Sequence, residues 1–179
     1  PSSREIEEAK NLISWPTVEW GNGRVFLPEK GMALEIGGFG KEYAVDHLIG
    51  FAKRLGIVDC LVDLGRDVAA LGQPPNGPVW VVGIEDAKEQ EVVAFRLAVS
   101  GKGLATSGNG RRYRIIKGKK FGHIIDPRSG WPTENDLLTA SCLADDCLTA
   151  GILSTNACIV GEKKGLEDIE RSFGVDAVL

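Results

Sequence analysis

The 179-residue chain is long enough for one domain with a core of its own. Its formal net charge of −4, with 26% charged residues, excludes the broadly basic face of a non-specific nucleic-acid binder, though not a local donor cluster for a phosphate-bearing small ligand. No apolar run reaches the about 18 residues that a membrane-spanning helix needs, and no signal peptide is visible in the sequence.

Ser2 and Glu5 form a capping-box pattern that opens a short helix with Ile6, Ala9, Leu12 and Ile13 on one face. Thr17 to Trp20 and Arg24 to Leu27 flank Gly21-Asn22-Gly23, the signature of a hairpin. Met32 to Ile36 is predicted as a strand ended by Gly37-Gly38. A helix is predicted from about Phe39 to Leu55, with Gly56 as its stop. Strands are expected at 57–64, 79–84 and 92–99, with a Pro/Gly/Asn loop from Gln73 to Pro78. A second hairpin joins 113–116 to 121–125 across Lys117-Gly118-Lys119-Lys120. Thr139 to Ala144 is a strand, and Asp146 caps a helix that runs to Val160 and closes at Gly161. A last helix spans 166–173, and the terminal 175–179 reads as a strand. Strands in runs and hairpins with few helices predict an α+β fold with a mostly antiparallel sheet flanked by helices, in a single domain over residues 1–179. Both termini are expected to be cut ends. Cys60, Cys142, Cys147 and Cys158 form no CxxC pair and are expected as small buried hydrophobes.

Four segments carry potential chemistry. In the stretch from Glu35 to Asp46, glycines and Lys41 stand between strand and helix, where free N–H groups and one positive charge suit a phosphate. The same glycines equally serve turn geometry alone. Ala105 to Gly110 is small and hydroxyl-rich, and reads as an anion-binding turn or a plain one. His123 to Pro132 crowds ionisable groups beside a strand end. There Asp126 can hold the turn, Arg128 can pair with Asp126 or aim at a phosphate, and His123 can act as acid, base or structural donor. Finally, the helix after Asp146 carries Ser154, Thr155 and Asn156 in mid-run, with Gly151 and Thr155 on one face. That face allows close approach of a ligand or of another backbone.

In this order the segments resemble the FAD:protein FMN transferase family, the ApbE-like proteins once called thiamine-biosynthesis lipoproteins. HIIDPRSGWP is the most specific motif. LEIGGFGKEYAVD is similar to the family's LDLGGIAKGYAVD, LVDLGRDVAALG to its strand ending in DLGG-D/E, and ATSGN to its TSGD/N turn. ADDCLTAGILSTNACIVG resembles a stretch reading roughly ADDCMTADALATALFVLG. The resemblance covers essentially the whole chain and implies an ApbE-like, T-fold-related domain that lacks the family's N-terminal region. It also implies an enzyme that takes FAD, cuts the pyrophosphate, joins FMN to a threonine of a target protein and releases AMP. The implied cofactor is Mg2+, the implied acceptor a subunit of a membrane redox complex of the Nqr/Rnf kind, and the implied location the bacterial cell envelope, periplasmic or lipid-anchored.

By the same resemblance, Gly37, Gly38, Lys41, Asp46, Thr106, Ser107, Gly108 and His123 hold the flavin nucleotide, and His123, Asp126 and Arg128 serve catalysis. The metal positions fall on Gly40, Gly151 and Thr155. Two departures stand out. The family's metal-binding aspartate is Gly151 here, so metal affinity is expected to drop sharply unless Asp145, Asp146 or another group substitutes, and turnover restored by a Gly151→Asp change would show what the departure cost. The family's glycine after the lysine is Glu42, a negative charge beside the proposed phosphate site with a side chain free to turn to solvent. The alternative reading is a flavin- or partner-binding relative with weakened chemistry.

Overall fold

The computed structural model describes residues 1–89 and 91–179. The elements in chain order are α1 (Ser3–Lys10), β1 (Glu19–Gly21), β2 (Arg24–Phe26), α2 (Gly40–Arg54), β3 (Cys60–Asp63), β4 (Val68–Leu71), β5 (Val81–Glu85) and β6 (Val93–Ala98). There follow β7 (Gly103–Gly108), β8 (Tyr113–Ile116), β9 (Lys119–Gly122), β10 (Ile125–Asp126), β11 (Trp131–Pro132), β12 (Thr139–Ala144), α3 (Cys147–Val160), α4 (Glu162–Glu170) and β13 (Asp176–Val178). The α+β architecture agrees with the sequence pattern. A five-stranded sheet in the order β13-β12-β7-β4-β3 pairs antiparallel throughout, and β1-β2, β5-β6, β8-β9 and β10-β11 form separate two-stranded ribbons.

Strand alternation divides the core into two layers. Ala69, Ala105, Ala140, Cys142 and Ala144 face the helices, where Val45 of α2, Cys147, Ala150, Ala157 and Cys158 of α3, and Ile169 of α4 meet them. On the opposite face Ala70, Leu104 and Leu143 join Ile84 and Val99, and the β5-β6 ribbon adds Val82 and Leu97. Trp80 anchors that ribbon by donating its indole N–H to the Leu71 carbonyl at 2.8 Å. The alanines let α3 lie close on the sheet. Closest approach falls at Gly103, where a Cβ would lie 2.2 Å from the Cys147 nitrogen. Cys142, Cys147 and Cys158 are buried and unbridged, as expected of small hydrophobes, whereas Cys60, at the start of the edge strand β3, is only half-buried.

Several local expectations hold in detail. Ser2 and Glu5 make the reciprocal capping box of α1, and Asp146 caps α3, accepting the Thr149 N–H at 2.6 Å. Others are corrected. The 32–36 segment forms no strand, for it has no neighbour to pair with among the described residues. The stretch 105–108 is the second half of β7 rather than a turn, so Thr106 and Ser107 point to opposite faces of the sheet. The last helix begins at Glu162, directly after Gly161, instead of at Leu166. No helix among the described residues is long and apolar enough to cross a membrane.

Candidate functional site

Two helices and one strand end build a polar seam beside the apolar core. On α2, Glu42 and Asp46 are four residues apart and share the face turned to α3. Asp46 accepts the N–H groups of Cys147 at 2.8 Å and Leu148 at 2.9 Å, one on each carboxylate oxygen. It thereby satisfies donors at the first turn of α3 and neutralises its positive dipole end. Asp46, expected to hold the flavin nucleotide, is thus occupied with joining the two helices.

One turn earlier on α2, Glu42 packs against Gly151. The side chain does not turn to solvent. Glu42 is 5% exposed, and its Oε2 is a buried oxygen with no hydrogen-bond partner among the described residues. A Cβ at Gly151 would lie 2.6 Å from Glu42 Cγ and 2.9 Å from Oε1. A side chain at Gly151 therefore requires Glu42 to move, so Gly151→Asp alone does not simply return a carboxylate to this position. Burial pushes the Glu42 carboxyl above the ordinary range; its own backbone N–H and Lys41 oppose the rise, and the charges of Asp67 and Asp46 add to it.

The lysine itself is committed. Lys41 Nζ contacts the carboxylate of Asp67, a residue 1% exposed at the foot of β4. Burial raises the Asp67 carboxyl, and Lys41 and the Thr106 backbone N–H work against the rise. This N–H is available because β4 pairs with β7 only at Leu104 and Gly103, so the Asp67 side chain takes over where the ladder ends. Asp67 was not singled out by sequence reasoning; the signal available was its place in the Asp63-to-Asp67 turn opposite a glycine-rich helix start.

The next residue of β7, Ser107, faces α3 and meets both Ser154 Oγ and Thr155 Oγ1 at 2.8 Å, and Ser154 donates to the Gly151 carbonyl at 3.1 Å. Thr106 instead turns its hydroxyl to Ser141 on the other face, 2.8 Å away. Of the expected Thr106–Ser107–Gly108 trio, only Ser107 brings a side chain to the seam. Gly37 and Gly38 lie in the exposed turn before α2, and Gly40 is the first helical residue. Two residues past Ser107, Asn109 accepts the Ile124 N–H at 3.2 Å and donates to Thr133 at 2.7 Å, tying the His123 segment to the end of β7. His123 is exposed, and its Nδ1 contacts the Arg112 carbonyl at 3.2 Å. A carbonyl there requires the proton on Nδ1, which leaves Nε2 as the ring's acceptor.

Lys41 through Asp67, Thr155 and the His123 segment are therefore strung along Thr106, Ser107 and Asn109, at the end of β7 and just past it, a span of about 10 Å. Asp126 and Arg128 are not joined to them by any side-chain hydrogen bond or ion pair among the described residues. Arg128 closes on Asp126 with Nε at 2.9 Å and Nη2 at 2.7 Å, and its backbone N–H adds a further bond at 2.9 Å. The Arg128 guanidinium holds the Asp126 carboxyl below the usual range. Of the alternatives open in the sequence, this pair takes the one that rigidifies the turn. It borders a separate surface concavity of about 690 Å3 with Lys119, Trp131 and Asn135. Asp145 and Asp146, the other expected substitutes for a missing carboxylate, are also engaged elsewhere: Asp145 is exposed and pairs with Lys102, and Asp146 caps α3.

Among the described residues no three His, Cys, Asp or Glu side chains gather as a metal cluster. The seam offers one unpartnered buried carboxylate oxygen, the hydroxyls of Ser107, Ser154 and Thr155, and backbone carbonyls. An all-oxygen set with a single carboxylate fits a hard divalent cation that also takes phosphate oxygens, and does not fit a softer metal.

Fold and seam define a class of protein in which an antiparallel sheet carries a polar strip between two helix starts and one strand end. Comparison with known proteins then places the chain. The ApbE family model matches residues 1–179. The FAD:protein FMN transferase of Salmonella typhimurium is 31% identical over 174 residues, covering 96% of this chain and 50% of that protein, and the enzyme of the same name from Escherichia coli K12 is 31% identical over 176 residues. The crystal structure of the ApbE protein from Thermotoga maritima superposes with a TM-score of 0.88 at 28% identity, covering 99% of this chain and 58% of that one. The apo flavinyl transferase ApbE of Pseudomonas stutzeri gives 0.84 at 30% identity. The chain belongs to the ApbE family. It spans about half the length of the curated relatives it matches.

Proposed function

We propose that this chain carries the phosphoryl-transfer centre of an FAD:protein FMN transferase. The threonine hydroxyl of an acceptor protein attacks the phosphorus of the FMN half of FAD. A P–O bond to the new ester forms, the P–O bond to the AMP half breaks, and AMP leaves with the bridging oxygen. The hydroxyl proton passes to a base, for which His123 Nε2 is the candidate, since its partner nitrogen is held by the Arg112 carbonyl. Lys41, kept at the start of α2 by Asp67, supplies positive charge for the diphosphate. Ser107 orients Thr155. Gly40, through the spare lone pair of its carbonyl, and Thr155, through its hydroxyl, are residues that would hold a magnesium ion. When bound, that ion neutralises charge developing on the leaving phosphate.

The observation that carries the reading is the stringing of Lys41–Asp67, Ser107–Thr155 and the Asn109-bound His123 segment along the end of β7 and just past it, in a chain of this family. The acceptor is proposed to be a subunit of a membrane redox complex of the Nqr/Rnf kind, and the setting the bacterial cell envelope; both rest on family membership. The test is to incubate the protein with FAD, Mg2+ and a threonine-bearing acceptor and to follow flavin fluorescence on the acceptor after denaturing electrophoresis. A covalently fluorescent acceptor is expected, and its absence when FAD binding is saturated would sink the proposal.

A further inference from the structure

The unpartnered oxygen of Glu42 calls for an explanation, because burying a carboxylate without a partner is costly and sequences seldom retain one without use. Its sequence neighbour Lys41 is spent on Asp67. The other carboxylate on the same face of α2, Asp46, has both oxygens satisfied by the start of α3. What lies against Glu42 is the bare backbone of Gly151, on the face of α3 that also carries Thr155 four residues on. Ser154 and Ser107 complete a hydroxyl group there. Glycine in mid-helix costs about 1 kcal/mol against alanine, yet here any side chain would collide with the Glu42 stem. The two positions are one device: a long acidic side chain on α2 fills the space that a missing side chain on α3 leaves.

We propose that Glu42 is the carboxylate ligand of a divalent cation in this site, delivered from α2 into the space kept open by Gly151. The ligand charge then comes from α2, and the hydroxyl of Thr155 from α3. This rests on the transferase reading for the identity of the site, but its test reads the metal directly.

The experiment is a Mn2+ titration followed by electron paramagnetic resonance, with and without FAD, on the wild-type protein and on Glu42→Gln, Gly151→Asp and the double variant Glu42→Gly/Gly151→Asp. The wild type is expected to bind Mn2+ at one site that Mg2+ competes for. Glu42→Gln keeps shape and hydrogen-bonding capacity but removes the charge, and should weaken Mn2+ by about tenfold or more. The metal-free melting temperature of Glu42→Gln should not fall, because the change removes an unpartnered buried charge; a merely structural glutamate would show the reverse. Gly151→Asp alone should melt lower than wild type. The double variant, which returns the carboxylate to α3 and opens the space on α2, should recover Mn2+ affinity to within about threefold of wild type.

Mn2+ binding by Glu42→Gln equal to wild type, no Mn2+ binding by the wild type, or a folded double variant that fails to recover binding would each overturn the assignment. Failure of the transferase reading looks different. If Mn2+ binding depends on Glu42 and no FMN is transferred, that reading fails and the ligand stands. If transfer occurs and Glu42→Gln holds Mn2+ normally, the ligand fails and the reading stands.

Discussion

At the Asp126–Arg128 turn the carboxylate and the guanidinium satisfy each other near solvent, through four hydrogen bonds from Arg128 alone. At the α2–α3 seam the carboxylates of Glu42 and Asp67 are buried, one paired with a lysine and the other with an oxygen left over. In the sequence both regions are short clusters of charge beside glycine, and the His123-to-Pro132 motif is the more specific of the two. The difference teaches that local charge density does not mark chemistry. A satisfied pair holds a turn, whereas an unsatisfied buried group is poised to take a ligand, since folding has already met its desolvation cost.

The sharpest way to break this comparison is at His123, which is next to the turn in sequence and tied to the seam through Asn109. If the seam is the reactive region, His123→Ala should slow AMP release from FAD by about 10^2- to 10^4-fold, with FAD affinity changing little, as read by single-turnover chromatography. Lys41→Met comes next. It should lower both activity and stability, the latter by about 2 kcal/mol in a urea melt, because Asp67 keeps a buried charge while losing a partner that is itself half exposed. Gly151→Ala is subtler. Helix propensity favours alanine by about 1 kcal/mol, but the new methyl overlaps Glu42, so a net loss of about 1–2 kcal/mol is expected. Combining it with Glu42→Gly should relieve the overlap; thermal melts of the pair check the coupling.

The smallest effect belongs to the turn. Asp126 is held below its ordinary range by Arg128, so its contribution to stability is fully present above the unfolded value of about 3.9 and is lost as pH falls through the lower folded value. Asp126→Asn should therefore drop the melting temperature at pH 7 by about 2 °C, and the gap to wild type should close in acid once pH falls below the lowered folded value. A gap that persists unchanged at low pH would show that the charge of Asp126 is not what holds the turn.

Much of the fold was legible because its signals are local. The Ser2–Glu5 capping box, the Asp146 cap with its stop at Gly161, and the alternation of Thr139–Ala144 are each set within a few residues. The β4 strand went unread because Ala69 and Ala70 have weak strand preference, and their place follows only from pairing with β3 and β7. The strand expected at 32–36 had the right residues and no partner strand among the described residues.

The site was legible in part for the same reason. Lys41, Ser107 and Thr155 come from recognisable motifs, but their alignment along the end of β7, Lys41 through Asp67 and Thr155 through Ser107, is a long-range fact. Glu42 was misjudged because an acid beside a lysine reads as solvated surface. Only the contact with Gly151, more than a hundred residues away, reveals it as buried. Glu42 and Asp46 at helical spacing, flanking the fully buried Val45, were the one hint that this face of α2 turns inward.

The central claim is that the seam cuts the FAD pyrophosphate and passes the FMN half to an acceptor threonine. The most direct measurement is the stoichiometry of AMP released to FMN joined to an acceptor threonine, with Mg2+ present and again with it chelated. The account predicts one AMP for each FMN joined, and neither product once Mg2+ is removed. AMP at the level of an enzyme-free control, from protein fully occupied by FAD and Mg2+, would contradict it.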